Sequence, residues 1–370
     1  MSFKDIFCQD GAIDILQRAY NSERVSHAYI FAGMEGVGKF LTASQWAKLL
    51  LCHNHVVENG IAQSCDSCQS CRLFDADSHP DFSHVYKELR EYTEEGKGKA
   101  PPLDMPIDVI REMLNAKVSI RPSLSQRKVF IVSEAEKMNV SSQNCMLKVL
   151  EEPPVYCCII LLCTRLEKLL PTTKSRAQTV RFGPIQEDRI IEKLDEMGLD
   201  TNISKYFARL AQGSLGQACN WAQLELNDAN IYESKKELIN SLAQFEYSDT
   251  LAMADAILNW KGQISTLWSN LDKNTSKTDI SRRAAKIFLQ IIISALYDAM
   301  KLKITPQYEA INFDLINQIE KLAVRFDPEL AAEKIDECYE MIRWLEANVN
   351  ERLIFEHLLL SLANSDTIHV

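Results

Sequence analysis

The stretch Gly33-Met34-Glu35-Gly36-Val37-Gly38-Lys39-Phe40 constrains this chain more than any other feature. Gly33, Gly38 and Lys39 fit the G-x-x-x-x-G-K-[ST] spacing, in which backbone N–H groups cradle phosphates and the lysine reaches the outer ones. Ser26–Ala32 reads as a short buried strand and Leu41–Leu51 as a helix with apolar positions at helical spacing. Strand, glycine loop and helix are what such a loop needs, because a helix N-terminus favours an anion. The plainer alternative is a glycine-rich turn that never meets phosphate. The last position breaks the pattern. It should carry a hydroxyl that holds Mg²⁺, and Phe40 has no side-chain oxygen.

The surrounding pattern predicts an α/β fold. Val129–Val132 and Cys157–Cys163 are continuous apolar runs, as expected of strands in a parallel sheet covered on both faces. Val180–Phe182 is a further short strand candidate, and the polar stretch between Lys87 and Pro106 reads as an exposed loop. After Pro184 the strand pattern ends. Helical segments run over 186–197, 203–212 and 215–226, and helical periodicity continues from about Tyr232, with Pro328 opening one late helix. The expected fold class is an α/β domain of parallel sheet flanked by helices, followed by two all-α domains. The boundaries are 1–183, 184–231 and 232–370.

Cys52, Cys65, Cys68 and Cys71 form the second strong signal. The last three make C-x-x-C-x-x-C, and Cys52 lies upstream across a polar, hairpin-like segment. Four thiolates at this spacing suit a closed tetrahedral Zn²⁺ site of structural type, in a module spanning 52–71. Disulfides or free thiols are the alternative, and His53, His55 or His79 could in principle replace a cysteine. Eleven cysteines, several in apolar contexts, fit a reducing cytoplasm better than a disulfide scaffold. The first residues show no signal-peptide pattern, and no apolar run approaches a membrane span of about 18 residues. A net charge of -10 argues against a broad basic surface for DNA.

Val129–Val132 runs into Ser133-Glu134. A strand ending in Asp-Glu would organise Mg²⁺ and polarise an attacking water, but the Asp position is Ser133. Glu134 then reads as a solvated residue at a strand end. Two metal-handling positions, Phe40 and Ser133, are lost together, and hydrolysis by the chain itself is not expected.

Further motifs make the resemblance specific. Asn144-Cys145-Met146-Leu147-Lys148-Val149-Leu150-Glu151-Glu152-Pro153-Pro154 is similar to the N-x-L-L-K-x-L-E-E-P-P signature of bacterial clamp-loader subunits of the AAA+ class. Thr172–Gln178 resembles their S-R-C motif, with Ala177 in place of Cys. Cysteines between phosphate loop and acidic motif, followed by Ser78-His79-Pro80-Asp81, also match that family, and 348–356 more loosely resembles its last collar helix.

The resemblance implies an AAA+ domain with a zinc-binding insertion, a three-helix lid and a helical collar. It further implies a scaffold role in the replicative DNA polymerase III assembly. Its partners would be gamma/tau-like and delta-like subunits, with the sliding clamp and primer-template DNA met through the complex and no membrane involved. The family's ATP-sensing arginine falls at Gly216, and its first polar sensor at Thr164, which also reads as a strand-end cap. Arg176 would act as a catalytic arginine finger in trans, reaching a neighbour's nucleotide. Gly33, Gly38 and Lys39 would remain a degenerate phosphate loop of doubtful ATP occupancy. Two other readings stand beside this one: an ATP-hydrolysing gamma/tau-like subunit, and a zinc-containing nucleic-acid-binding module.

Overall fold

A computed structural model describes residues 3, 6–58, 60–97, 102–273, 275–305 and 307–363. They fall into two compact units, Met1–Gln186 with Gly213–Gly216, and Glu187–Gln212 with Gln217–Val370.

The first unit is built on a five-stranded, all-parallel sheet. Its strands are β1 (Ala28–Ala32), β4 (Phe82–Val85), β5 (Lys128–Val132), β6 (Cys157–Cys163) and β7 (Gln178–Arg181), in the order β4-β5-β6-β1-β7. A separate antiparallel hairpin pairs β2 (Val56–Glu58) with β3 (Ile61–Gln63). Every residue of β1, β5 and β6 is buried. Because side chains alternate across a strand, Cys157, Ile159 and Leu161 enter one core with Ile30 and Phe130. Cys158, Ile160 and Leu162 enter the other with Phe31 and Trp46. Packing on both faces keeps these runs apolar, and the exception, Lys128 at the start of β5, is buried with its Nζ donating to the Ile120 carbonyl at 3.2 Å.

Two expectations change here. Phe82–Val85 was not foreseen as a strand. It lies at the sheet edge and only Val85 is fully buried, so its polar positions hide the pattern. The stretch after Lys87 is not a plain exposed loop. Lys87–Tyr92 forms a 3₁₀ helix, Lys87 and Thr93 are buried, and the Thr93 hydroxyl donates to Asp108 at 2.7 Å. Positions 98–101 of that stretch lie outside the described residues.

The second unit is helical throughout its described residues. Helices Glu187–Glu196, Thr201–Leu210 and Leu215–Glu225 agree with the expected three to within two residues at each end. The long helix Lys277–Ile304 buries fourteen residues and packs against Thr250–Leu271 and Pro328–Glu346. Pro328 does open the late helix, and Asp327 caps it by accepting from the Leu330 N–H at 2.8 Å. Lys235, fully buried, pairs with Asp314 at 2.5 Å and lies 4.3 Å over the Tyr206 ring. Burial lowers this lysine to about 8 even against Asp314.

Candidate phosphate loop, cysteine cluster and arginine site

β1 delivers the chain to Gly33, which β6 holds through the Gly33 N–H donating to the Cys163 carbonyl at 3.1 Å. A Cβ at Gly33 would lie 2.5 Å from the Phe182 carbonyl oxygen, so only glycine fits there. Gly38, at φ +92°, precedes the helix Lys39–Leu51. The loop has therefore kept its shape.

Its polar groups are turned to other partners. Lys39 is buried, and its Nζ donates to the carbonyls of Gly33 at 2.6 Å and Met34 at 2.5 Å. Burial lowers its pKa, against the upward pull of Glu136 and Glu35. Residues 213–216 lie on the loop. The Gly216 N–H donates to the Gly36 carbonyl at 2.8 Å, and the Ser214 hydroxyl to the Glu35 carbonyl at 2.8 Å. A Cβ on Gly216 would meet the Gly36 Cα at 2.9 Å, so an arginine cannot stand there without moving the loop.

The two missing metal positions have a common replacement. The Phe40 ring is 4.8 Å from the His84 ring, and His84 Nε2 is 2.8 Å from the Ser133 hydroxyl. The Tyr86 ring centroid lies 4.9 Å from that of the imidazole. Burial drops His84 to about 4, so the ring is neutral at neutral pH. Glu134 is not simply solvated: it pairs with Lys137 at 2.5 Å and Lys87 at 3.7 Å. Thr164 donates its hydroxyl to Glu136 at 2.5 Å.

Cys52, Cys65, Cys68 and Cys71 converge, with all four sulfurs within 4.8 Å of one another. Two of the separations are 3.5 Å, Cys52 to Cys65, and 4.0 Å, Cys52 to Cys68. A tetrahedron with Zn–S near 2.3 Å has an edge of about 3.8 Å, so the group can hold a metal ion. All four are free cysteines. Burial opposes ionisation of Cys65, yet the N–H groups of Ser67 and Cys68 outweigh it and bring that thiol to about 6. Lys48 clamps the cluster's surroundings, reaching Asp66 at 2.7 Å and Asp75 at 2.8 Å. Gln17 fixes β3 by exchanging two hydrogen bonds with Ala62.

No histidine joins the cluster among the described residues. His79 instead supports its frame. With its Nδ1 accepting from the Asp81 N–H at 3.0 Å, Nε2 donates to the Ser70 hydroxyl at 2.9 Å, and Ser70 donates to the Leu51 carbonyl. Asp81 accepts from the N–H groups of Ser123, Leu124 and Ser125. Burial alone would raise this carboxyl, but those donors hold it below the usual range. The Ser-His-Pro-Asp motif is thus a fastening between the cysteine module and the turn before β5, a role sequence reading did not supply.

Arg176 follows the short helix Pro171–Lys174 and precedes β7. Its guanidinium donates to the Thr172 carbonyl at 3.0 Å and the Ser175 hydroxyl at 3.4 Å, and pairs with Glu151 at 2.8 Å. Glu151 ends the helix Val140–Glu151, which carries the Asn144–Glu151 part of the signature and is followed by β6. Both residues therefore precede strands, whereas the phosphate loop follows one. Tyr29 of β1 is level with Gln178 of β7. From there to Gly33 the strand rises about 13 Å, and Arg176 lies on the far side of Gln178.

The model of the family described as "DNA polymerase III, delta subunit" matches residues 8–186, and that of its C-terminal part matches 261–364. The chain is 26% identical to the DNA polymerase III subunit delta' of Bacillus subtilis, over 96% of each protein. It is 34% identical to the delta' of Pseudomonas aeruginosa over 41% of each. This chain belongs to the bacterial DNA polymerase III clamp-loader subunits. Among these it is most like delta'. It is also 26% identical to the tau subunit of Bacillus subtilis over 71% of this chain, but spans only 38% of tau. The parallel sheet with flanking helices and the helical second unit agree with the fold class expected of a clamp-loader subunit. No described helix is long and apolar enough to cross a membrane.

Proposed function

We propose that this clamp-loader subunit is a scaffold that lends Arg176 to the nucleotide of a neighbouring subunit and does not hydrolyse ATP itself. The observation that carries this reading is the placement of Arg176 at the strand-entry end of the sheet, with the chain's own phosphate loop at the exit end. A stretched arginine does not span that distance, so its target belongs to another chain. An arginine finger neutralises charge developing on the transferring phosphate.

The phosphate loop supports the same reading. Lys39 is spent on Gly33 and Met34, and residues 213–216 occupy the loop's outer surface. Phe40, His84 and Ser133 offer a neutral aromatic packing arrangement where a metal site would need oxygens. Changing Phe40 to Thr alone does not restore turnover, because Ser133 and Gly216 remain. Cys52, Cys65, Cys68 and Cys71 hold structural Zn²⁺, which ties the β2–β3 hairpin to the helix Gln69–Asp75 when bound. The second unit divides at about Tyr232 into a lid and a collar that seats the chain beside gamma/tau-like and delta-like subunits. The sliding clamp and primer-template DNA are met through the assembled complex.

The test is made in two arms. The purified chain alone should show no Mg²⁺-dependent ATP hydrolysis. In the assembled loader, Arg176→Ala should leave assembly intact and lower clamp- and DNA-stimulated ATPase by roughly 10³-fold or more. Arg176→Lys should rescue poorly, since an ammonium lacks the planar fork. Lys39-dependent hydrolysis by the isolated chain, or full activity of the alanine variant, would defeat the proposal.

A further inference from the structure

The guanidinium of Arg176 is only partly exposed, and it is not free to swing. One terminal nitrogen is held by the Thr172 carbonyl and the Ser175 hydroxyl, both within its own turn. The other terminal nitrogen is held by a single group from outside that turn, the Glu151 carboxylate at 2.8 Å. Removing Glu151 leaves the guanidinium held at one terminal nitrogen alone, by acceptors of its own turn at 3.0 and 3.4 Å. Glu151 is itself placed by the last turn of a helix whose Met146 and Leu150 are buried in the sheet's core. The rigid frame of the first unit therefore reaches the arginine through one carboxylate.

We propose that Glu151 is a positioning residue for Arg176. The inference rests on the trans-arginine reading above. Two effects of Glu151 oppose each other. Its charge partly cancels that of the guanidinium, which weakens attraction to a phosphate. Its hydrogen bond restricts a long side chain with many rotamers. The carboxylate is the one acceptor from outside the arginine's own turn, and on this reading its placing of the guanidinium outweighs the cancellation, so that Glu151 raises the rate. The carboxylate touches no nucleotide. Its loss should therefore lower kcat of the neighbour's ATP hydrolysis and leave KM for ATP unchanged.

The experiment measures clamp- and DNA-stimulated ATPase of the assembled loader carrying Glu151→Ala, Glu151→Gln, Arg176→Ala and the Glu151→Ala/Arg176→Ala pair. Assembly and secondary structure are checked for each. Expected is a fall of roughly tenfold in kcat for Glu151→Ala, a smaller fall for Glu151→Gln, which keeps an oxygen acceptor, and no further fall when Glu151→Ala is added to Arg176→Ala. If Arg176→Ala lowers the rate but Glu151→Ala does not, the positioning role is wrong and the trans-arginine reading stands. An increase for Glu151→Gln would show that charge cancellation dominates, which overturns the inference. An equal loss from Glu151→Ala in both backgrounds, or a loss of assembly, would assign Glu151 a structural role and overturn it too. If Arg176→Ala has no effect, the trans-arginine reading itself fails.

Discussion

The phosphate loop and the arginine turn lie at opposite ends of one sheet and have opposite histories written in their hydrogen bonds. The loop keeps the backbone of a nucleotide site, yet its lysine, its outer surface and its two metal positions are all engaged by the chain itself. The arginine turn has no elaborate architecture, yet it holds a partly exposed guanidinium with two acceptors of its own and one from Glu151. A buried polar group costs little only when it is paired. A site that has lost its ligand is therefore expected to close on internal partners, and a site that serves another chain is expected to remain open. On the proposed function, the difference separates a fold retained for assembly from a group retained for chemistry.

The comparison can be broken at several points. The largest expected effect is on the frame that both regions share. Structural zinc contributes about 10–16 kcal/mol to folding in small zinc-finger domains at neutral pH. Cys68→Ser should reduce bound zinc from one per chain to none and lower the unfolding temperature of the first unit, as read by metal analysis and calorimetry. Zinc-free protein purified without chelator would remove the metal from this account.

His84 gives a pH-dependent effect on the loop end alone. Its folded value is about 4 against an ordinary 6.5. The unfolded chain binds a proton between these values and the folded chain does not, so stability is fully present above pH 6.5 and is lost as pH falls towards 4. At 1.36 kcal/mol per unit, the loss reaches roughly 3 kcal/mol. Denaturant unfolding across pH 4–7 should show a steeper slope in the parent than in His84→Gln, where buried His79 still titrates. Equal slopes would mean that the Phe40–His84–Ser133 arrangement is open to water.

A smaller effect is expected where residues 213–216 meet the loop. Gly216→Ala places a methyl 2.9 Å from the Gly36 Cα. Overpacking of this kind costs about 1–3 kcal/mol, which chemical denaturation should detect. An unchanged midpoint would indicate that the segment yields readily and does not seal the loop.

Much of this was legible in the sequence. β5 and β6 were readable because both faces are buried, and the cysteine cluster because its ligands lie close in sequence. Arg176 and Glu151 belong to recognisable motifs, but their pairing was not readable, since 25 positions and all of β6 separate them. The Phe40–His84–Ser133 group brings together residues from a helix start, an edge strand and a strand end. No local pattern encodes that meeting. The loss of a hydroxyl at position 40 could be seen, and what replaced its function could not. The same holds for Gly216, whose absent side chain was visible as a departure while the close approach to Gly36 was visible only in space.

One measurement tests the central claim most directly: steady-state ATPase of the assembled loader, with clamp and primed DNA, carrying either Lys39→Met or Arg176→Ala in this subunit alone. The account predicts near-normal turnover for Lys39→Met, because that lysine supports its own loop, and a fall of roughly 10³-fold or more for Arg176→Ala. Collapse of activity with Lys39→Met and normal turnover with Arg176→Ala would show that this chain works as a motor with its own nucleotide, and would contradict the account.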